Sequence, residues 1–277
     1  MSKNRALWRR LADHAILMLS AVVMGGPLLL LFFGATQPGG LNAVARGPDL
    51  SLLAGLRRNL DRLVEMSEAG QAIPSAGDMF ANSLITAGGV AVLSSVVGFL
   101  AAYSMTFLLR RGVRFWFSLT LLTLYFPIEA RLLQTFEVAL QLRLVNSLTG
   151  LILPILPLAL ATFIFRQHMK TLPPHLLEAA RLDGVGPIGF LRDFVAPLSL
   201  VPIVAVLIIS FLIGWNQYLW PLMISIDNVH FPLMRGLNLV GAGSGPSMVL
   251  ATISVLPPVL LVIAFTRLLS RVTAVHL

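Results

Sequence analysis

Six stretches of this chain are long and apolar enough to cross a lipid bilayer, and that feature leaves few folds open to it. A spanning helix needs about 20 predominantly apolar residues. The stretches run at about Ala15–Phe33, Phe80–Leu109, Phe115–Leu140, Leu148–Phe165, Leu198–Leu222 and Met248–Leu269. In lipid a segment must satisfy its own backbone hydrogen bonds, which makes each of these a helix. Composition agrees: 57% of residues are hydrophobic and 12% charged, about half the charged share of a soluble domain. The sequence predicts an all-α membrane protein with six transmembrane helices.

The net charge is +8. In a soluble chain that would suggest nucleic acid, but here the basic residues flank the apolar stretches, and no nucleic-acid partner is expected. Lys3, Arg5, Arg9 and Arg10 precede the first stretch. Arg110, Arg111 and Arg114 separate the second from the third. Arg166, Lys170, Arg181 and Arg192 follow the fourth, and Arg267 and Arg271 close the sixth. One side of the membrane then carries these thirteen basic residues against four acids, Asp13, Glu178, Asp183 and Asp193. The other side carries seven arginines against eight acids. The positive-inside rule places the first side, with both termini, in the cytoplasm. Residues 1–14 read as a cytoplasmic N-terminus and 15–277 as a single transmembrane domain, with an outer loop at 36–79 and a cytoplasmic loop at 166–197. The first stretch has a basic flank but is longer than the 7–15 apolar residues of a signal peptide, so it reads as a retained anchor.

Several chemistries are excluded. There is no cysteine, hence no disulfide and no thiolate metal site. His14, His168, His175, His230 and His276 are scattered without metal-ligand spacing. Neither lysine, Lys3 nor Lys170, follows a glycine, so no phosphate-binding P-loop exists. No Gly-x-Ser-x-Gly nucleophile elbow occurs either. No catalytic residue, metal or cofactor is assigned to this chain.

Local patterns predict finer features. Leucines 52, 53, 56, 60 and 63 give Leu50–Met66 a helical periodicity, either a surface helix or one docked on a partner. Ser94, Gly98 and Ala102 recur every fourth position, a spacing that lets helix backbones approach closely in lipid. Pro154/Pro157 and Pro257/Pro258 predict kinks. Trp215, Tyr218 and Trp220 suit an interfacial aromatic belt.

The cytoplasmic loop carries the most specific signal. In Thr171-Leu-Pro-Pro-His-Leu-Leu-Glu-Ala-Ala-Arg-Leu-Asp-Gly184, Thr171 can cap a helix, the prolines fit its first turn, and Gly184 fits its end. A second short helix can start near Pro187 and stop before Pro197. Glu178-Ala179-Ala180, three residues, Gly184, nine residues, then Phe194-Val195-Ala196-Pro197 resembles the EAA motif of permease subunits of binding-protein-dependent ABC importers. Phe194 and Ala196 stand where that family has isoleucine and leucine. The resemblance covers nearly the whole chain. Tyr125-Phe-Pro-Ile-Glu-Ala-Arg131, Phe163-Ile-Phe-Arg-Gln167 and Trp215-Asn-Gln-Tyr-Leu-Trp-Pro-Leu222 look more like the glycerol-3-phosphate branch of the carbohydrate-uptake group than the maltose branch.

This resemblance implies the type I importer permease fold in a bacterial inner membrane. It implies a coupling helix in which Glu178, Ala179, Ala180, Asp183 and Gly184 meet an ATPase. It also implies a homologous permease subunit, two ATPase subunits that bind ATP and Mg, and a periplasmic solute-binding protein, all in membrane lipid. The implied substrate is sn-glycerol-3-phosphate or a glycerophosphodiester, with another sugar or polyol as the alternative. Polar side chains within a span cost about 2.5–3.5 kcal/mol when charged, so they mark a cavity or a partner. Arg131, Gln134, Glu137 and Gln141 share one face of the third stretch, with Glu129 off it; Asn216 and Gln217 end the fifth. These residues are expected to line a translocation cavity in which Arg131 attracts an anion. Equally, Arg131 pairs with Glu129 or Glu137. A stand-alone secondary transporter would need more polar pathway residues than this, and a membrane enzyme has no catalytic constellation behind it.

Overall fold

The computed structural model describes residues 2–44, 51–68, 73–109 and 111–274, and all regular structure among them is helical. In chain order the α-helices are α1 (Ser2–Thr36), α2 (Leu41–Val44), α3 (Leu52–Glu68), α4 (Ala76–Tyr103), α5 (Val113–Leu122), α6 (Leu132–Gln141), α7 (Leu148–Ile152) and α8 (Leu158–Met169). There follow α9 (Pro174–Leu182), α10 (Pro187–Phe190), α11 (Ala196–Leu198), α12 (Leu200–Trp215), α13 (Leu219–Ile224), α14 (Leu233–Leu239) and α15 (Gly245–Ala274). Two π-helical turns, Ser104–Leu108 and Leu191–Val195, extend α4 and join α10 to α11.

All six expected stretches are helical, but three are not single helices. Arg10–Thr36, Ala76–Leu108 and Gly245–Arg267 are each long and apolar enough to cross a membrane unbroken. The fourth stretch bends by 51° between Leu148–Ile155 and Leu158–Met169; the fifth is entered through a 78° bend between Pro187–Leu198 and Leu200–Trp215, and it is interrupted after Trp215 and resumes at Leu219. The third, expected as one helix over Phe115–Leu140, stops near Tyr125 and restarts at Ile128. The residue before a proline is pushed out of the helical region. Phe126 before Pro127 and Leu156 before Pro157 are both extended, with ψ of 98° and 120°. Pro257 and Pro258, by contrast, lie inside one continuous helix, α15.

The chain divides into two compact units, Met1–Ala76 with Gly236–Leu256, and Gly77–Arg235 with Pro257–Leu277. In the first, α3 is fastened to the end of α1. The Asn59 amide donates to the carbonyls of Ala35 at 2.7 Å and Gln37 at 2.9 Å, satisfying groups that a helix end leaves orphaned. Gly55 lies one turn earlier on the same buried face, and a Cβ there would run into the Thr36 carbonyl oxygen. The amphipathic helix foreseen around Leu50–Met66 therefore covers its own chain with Gly55, Asn59 and Leu63. Residue 50 itself lies outside the described residues.

In the second unit, Ser94, Gly98 and Ala102 are all buried, as their spacing predicts. A Cβ at Gly98 would stand 2.6 Å from that of Ala161 on α8. One apolar cluster gathers Tyr103, Phe165, Met169, Ala180, Phe190, Val195 and Val206. Another gathers Val90, Ala139, Leu151, Ile155, Trp220 and Ile224. The tryptophans of the expected aromatic belt are core residues instead, with Trp215 and Trp220 at most 2% exposed. The Trp220 indole donates to the Gly150 carbonyl at 2.9 Å. Trp215 meets Phe80 edge-on and stacks on Phe211. The break after α12 turns these rings inward, which a continuous helix could not do.

Candidate functional site

The three broken stretches share one neighbourhood. A cavity of about 330 Å³ is lined by Thr123 and Phe126 from the first break, Leu156 and Pro157 from the second, Gln217 from the third, and Arg131. Backbone freed from a helix inside a bilayer lacks water to bond with and is tolerated only where it is buried in protein or lines an aqueous cavity. Three such breaks border this one space, whose lining is mostly apolar apart from Thr123, Arg131 and Gln217. Two helices also begin here, α6 just after Arg131 and α8 just after Pro157, and neither N-terminus is capped by a side chain. Uncapped amides and the positive end of a helix dipole favour an anion, and the guanidinium of Arg131 adds a full charge.

Of the six pathway candidates, the structure brings Arg131 and Gln217 together at this cavity. Gln134 and Glu137 are exposed on α6, as is Gln141 at its end, and none of the three lines the space. The Asn216 amide turns back to the Leu212 carbonyl at 2.9 Å. No ion pair joins Arg131 to Glu137 among the described residues, and the Glu129 side chain lies outside them. Gln134, Glu137 and Gln141 stay together on α6, whereas Arg131 sits ahead of them, in a 3-10 turn and as the N-cap of α6.

The second place is the elbow formed by α9 to α11. Pro174 opens α9, where a missing amide costs nothing. Thr171 does not cap it; its hydroxyl donates to the His168 carbonyl at 2.7 Å, and Pro173 holds the N-cap position. The C-terminus closes as a Schellman turn. The Val185 amide donates to Ala180 at 2.8 Å and the Gly184 amide to Arg181 at 3.1 Å, with Gly184 at a φ of +73°. Ala180 is buried, whereas Glu178, Ala179 and Asp183 are exposed. Leu182 and Ile188 stand out at 89% and 82% exposed, two apolar side chains presented on a short rigid element. The second elbow helix does not stop before Pro197; its π turn runs into α11, which ends at Leu198. Phe194 stacks on Phe190, and both Phe194 and Ala196 are half-buried, so the positions that depart from the motif still pack.

Burial also acts on Arg235, outside the spans, where desolvation lowers the guanidinium from its ordinary value. It lies 3.8 Å over the Phe231 ring and donates to the Pro221 carbonyl at 2.8 Å. No local residue pattern marks it.

Broken spans around a charged cavity, with a presented elbow, define a membrane transport subunit. The chain belongs to the family of binding-protein-dependent transport system inner membrane components, whose model matches residues 6–274. It is 34% identical to the sn-glycerol-3-phosphate transport system permease protein UgpE of Agrobacterium fabrum, over 96% of each chain. It is 36% identical to the UgpE of Salmonella typhi over 94% of each, and 33% identical to that of Brucella melitensis over 93% of each. A bacterial ABC transporter involved in the import of the acidic polysaccharide alginate contains a chain of the same fold. That match has a TM-score of 0.74 at 18% identity over 98% of both chains. The chain is thus an all-α, multi-pass permease that forms part of a larger importer, and it is a transport subunit without enzymatic activity of its own.

Proposed function

We propose that this chain is one permease half of an ATP-driven importer for sn-glycerol-3-phosphate or its diesters. The convergence of three helix breaks and Arg131 on one cavity carries the reading. Its volume is at the lower end of the range for small-molecule sites. Its cationic side chain and uncapped helix starts suit a phosphate ester better than a neutral polyol, and the relatives bear the glycerol-3-phosphate name. A homologous permease subunit completes the pathway. A periplasmic binding protein delivers the ligand, and two ATPase subunits hold ATP and Mg against the elbow. Both termini face the cytoplasm by the distribution of arginines.

In this mechanism nucleotide binding draws the elbows together through Glu178, Ala179, Ala180, Asp183 and Gly184. The cavity then opens outward to receive ligand, and hydrolysis resets it.

The test is uptake by proteoliposomes holding the whole complex. A hydrogen bond to a charged group is worth about 1.5–3 kcal/mol, so Arg131→Gln should cut glycerol-3-phosphate uptake roughly ten-fold or more without loss of assembly. Glu178→Lys should abolish ligand-stimulated ATP hydrolysis while the chain still inserts. Undiminished affinity for the phosphate ester in Arg131→Gln would remove that side chain from the pathway. Transport of a neutral polyol in preference to the ester would point to the sugar-type alternative.

A further inference from the structure

We infer that Tyr103 is the positioning residue through which the elbow moves α4. The inference rests on the proposed reading of the elbow as the part an ATPase grips. Tyr103 closes the α-helical part of α4 and is 4% exposed. Its hydroxyl donates to the carbonyl of Pro187, the first residue of α10, at 2.6 Å. Among the described residues this is the single side-chain hydrogen bond between α4 with its π turn and the elbow. The same carbonyl accepts from the Leu191 amide, which holds it along the axis of α10.

Everything around that bond is arranged to pivot. Beyond Tyr103 the helix widens into the π turn Ser104–Leu108, closed by the Leu109 amide on the Ser104 carbonyl at 2.9 Å. Facing it, the elbow has a π turn of its own, starting just after Phe190. Isolated π turns interrupt the α ladder and occur often at functional positions. The rings between them meet edge-on or tilted: Phe107 lies 5.4 Å from Phe190 and from Tyr103, and Tyr103 lies 6.5 Å from Phe190. A residual space of about 90 Å³, bordered by Tyr103, Phe107, Leu177, Ala180, Arg181 and Phe190, leaves these rings room to turn. On the other side of the latch, an added Cβ at Gly184 or Gly186 would meet nothing within 4 Å, so the link from α9 to α10 is unencumbered. One stiff polar tether amid loosely filled aromatic packing transmits displacement yet permits rotation. A pull on α9 therefore reaches α4 through the Tyr103 hydroxyl.

The experiment uses the assembled complex in proteoliposomes and reads ligand imported per ATP hydrolysed. Tyr103→Phe removes one oxygen and keeps the ring. Loss of one hydrogen bond of about 1 kcal/mol corresponds to roughly a five-fold change, and the coupling ratio should fall by about that factor with assembly retained. A ratio equal to that of the parent complex, or one that falls only in step with complex yield, overturns the inference. Glu178→Lys separates the two levels. If it leaves stimulated hydrolysis intact, the elbow reading itself fails; if it abolishes it while Tyr103→Phe changes nothing, only the role of Tyr103 is lost.

Discussion

Gly184 offers a measurement in which backbone strain stands apart from packing. Its φ of +73° lies in the left-handed region, which costs an L-residue about 1–2 kcal/mol. An added Cβ would meet nothing within 4 Å, so no clash contributes and the backbone term is the whole effect. That term acts on the two bonds that close α9, Gly184 to Arg181 and Val185 to Ala180. A cost of 1–2 kcal/mol is a factor of about 5–30 in the closed population. Asparagine tolerates this region better than alanine, and a β-branched residue is worst. Hydrogen exchange at the Val185 amide should therefore quicken in the order glycine, asparagine, alanine, valine, reaching about 5–30-fold at alanine. Ligand-stimulated ATP hydrolysis by the complex should fall in the same order. Equal exchange rates for glycine, asparagine and alanine would refute the argument, since nothing but φ distinguishes them at an open position.

Gly98→Val should lower the melting temperature of the purified complex, because a Cβ already stands 2.6 Å from that of Ala161 and overpacking typically costs about 1–3 kcal/mol; an unchanged transition would mean that α4 and α8 are not this close. Trp220→Phe leaves the Gly150 carbonyl without its 2.9 Å donor and should destabilise by about 1–3 kcal/mol in a denaturant titration, whereas a neutral result would show water reaching that carbonyl. Asn59→Ala releases the Ala35 and Gln37 carbonyls, and faster hydrogen exchange along α3 than along α4 is the expected readout.

The apolar lengths and the small-residue spacing on the second stretch were legible because lipid and close packing each impose a strict residue pattern. Gly184 was legible for the same kind of reason: few residues fit a left-handed helix end. The breaks were harder. Pro127 and Pro157 each break a stretch, but Pro257 and Pro258 do not, because whether a proline ends a helix depends on tertiary partners for the freed groups. The end of the fifth stretch at Trp215 has no proline at the break itself, and only the burial of Trp220 with its bond to Gly150 explains why the chain turns there. The polar face of the third stretch was drawn at 100° per residue, a rule that fails for Arg131, which closes a 3-10 turn and caps α6 rather than lying within it. Arg131 survived that failure because a lone arginine in apolar sequence must face a cavity or partner wherever the helix axis points. Gln217 reached the same cavity from another stretch, a coincidence no local pattern encodes.

In the proposed mechanism, the order of elements along the chain gives movement of the elbow a route to the cavity. The elbow is inserted between α8 and α12, and the ends of these helices far from the elbow, at Pro157 and Trp215, lie at breaks that border the cavity. Only Lys170 to Pro173 separates α8 from α9, and the 78° bend at Ser199 links α11 directly to α12. A ring nitrogen of His168 on α8 donates to the Leu198 carbonyl at that bend, 3.2 Å away, so the two exits from the elbow are tied together. Displacement of the elbow is then carried along two rigid helical rods, α8 toward Pro157 and α12 toward Gln217. Rods transmit displacement with little loss, and breaks absorb it. In that mechanism the motion would appear at the cavity that Pro157, Gln217 and Arg131 line, where three stretches are interrupted.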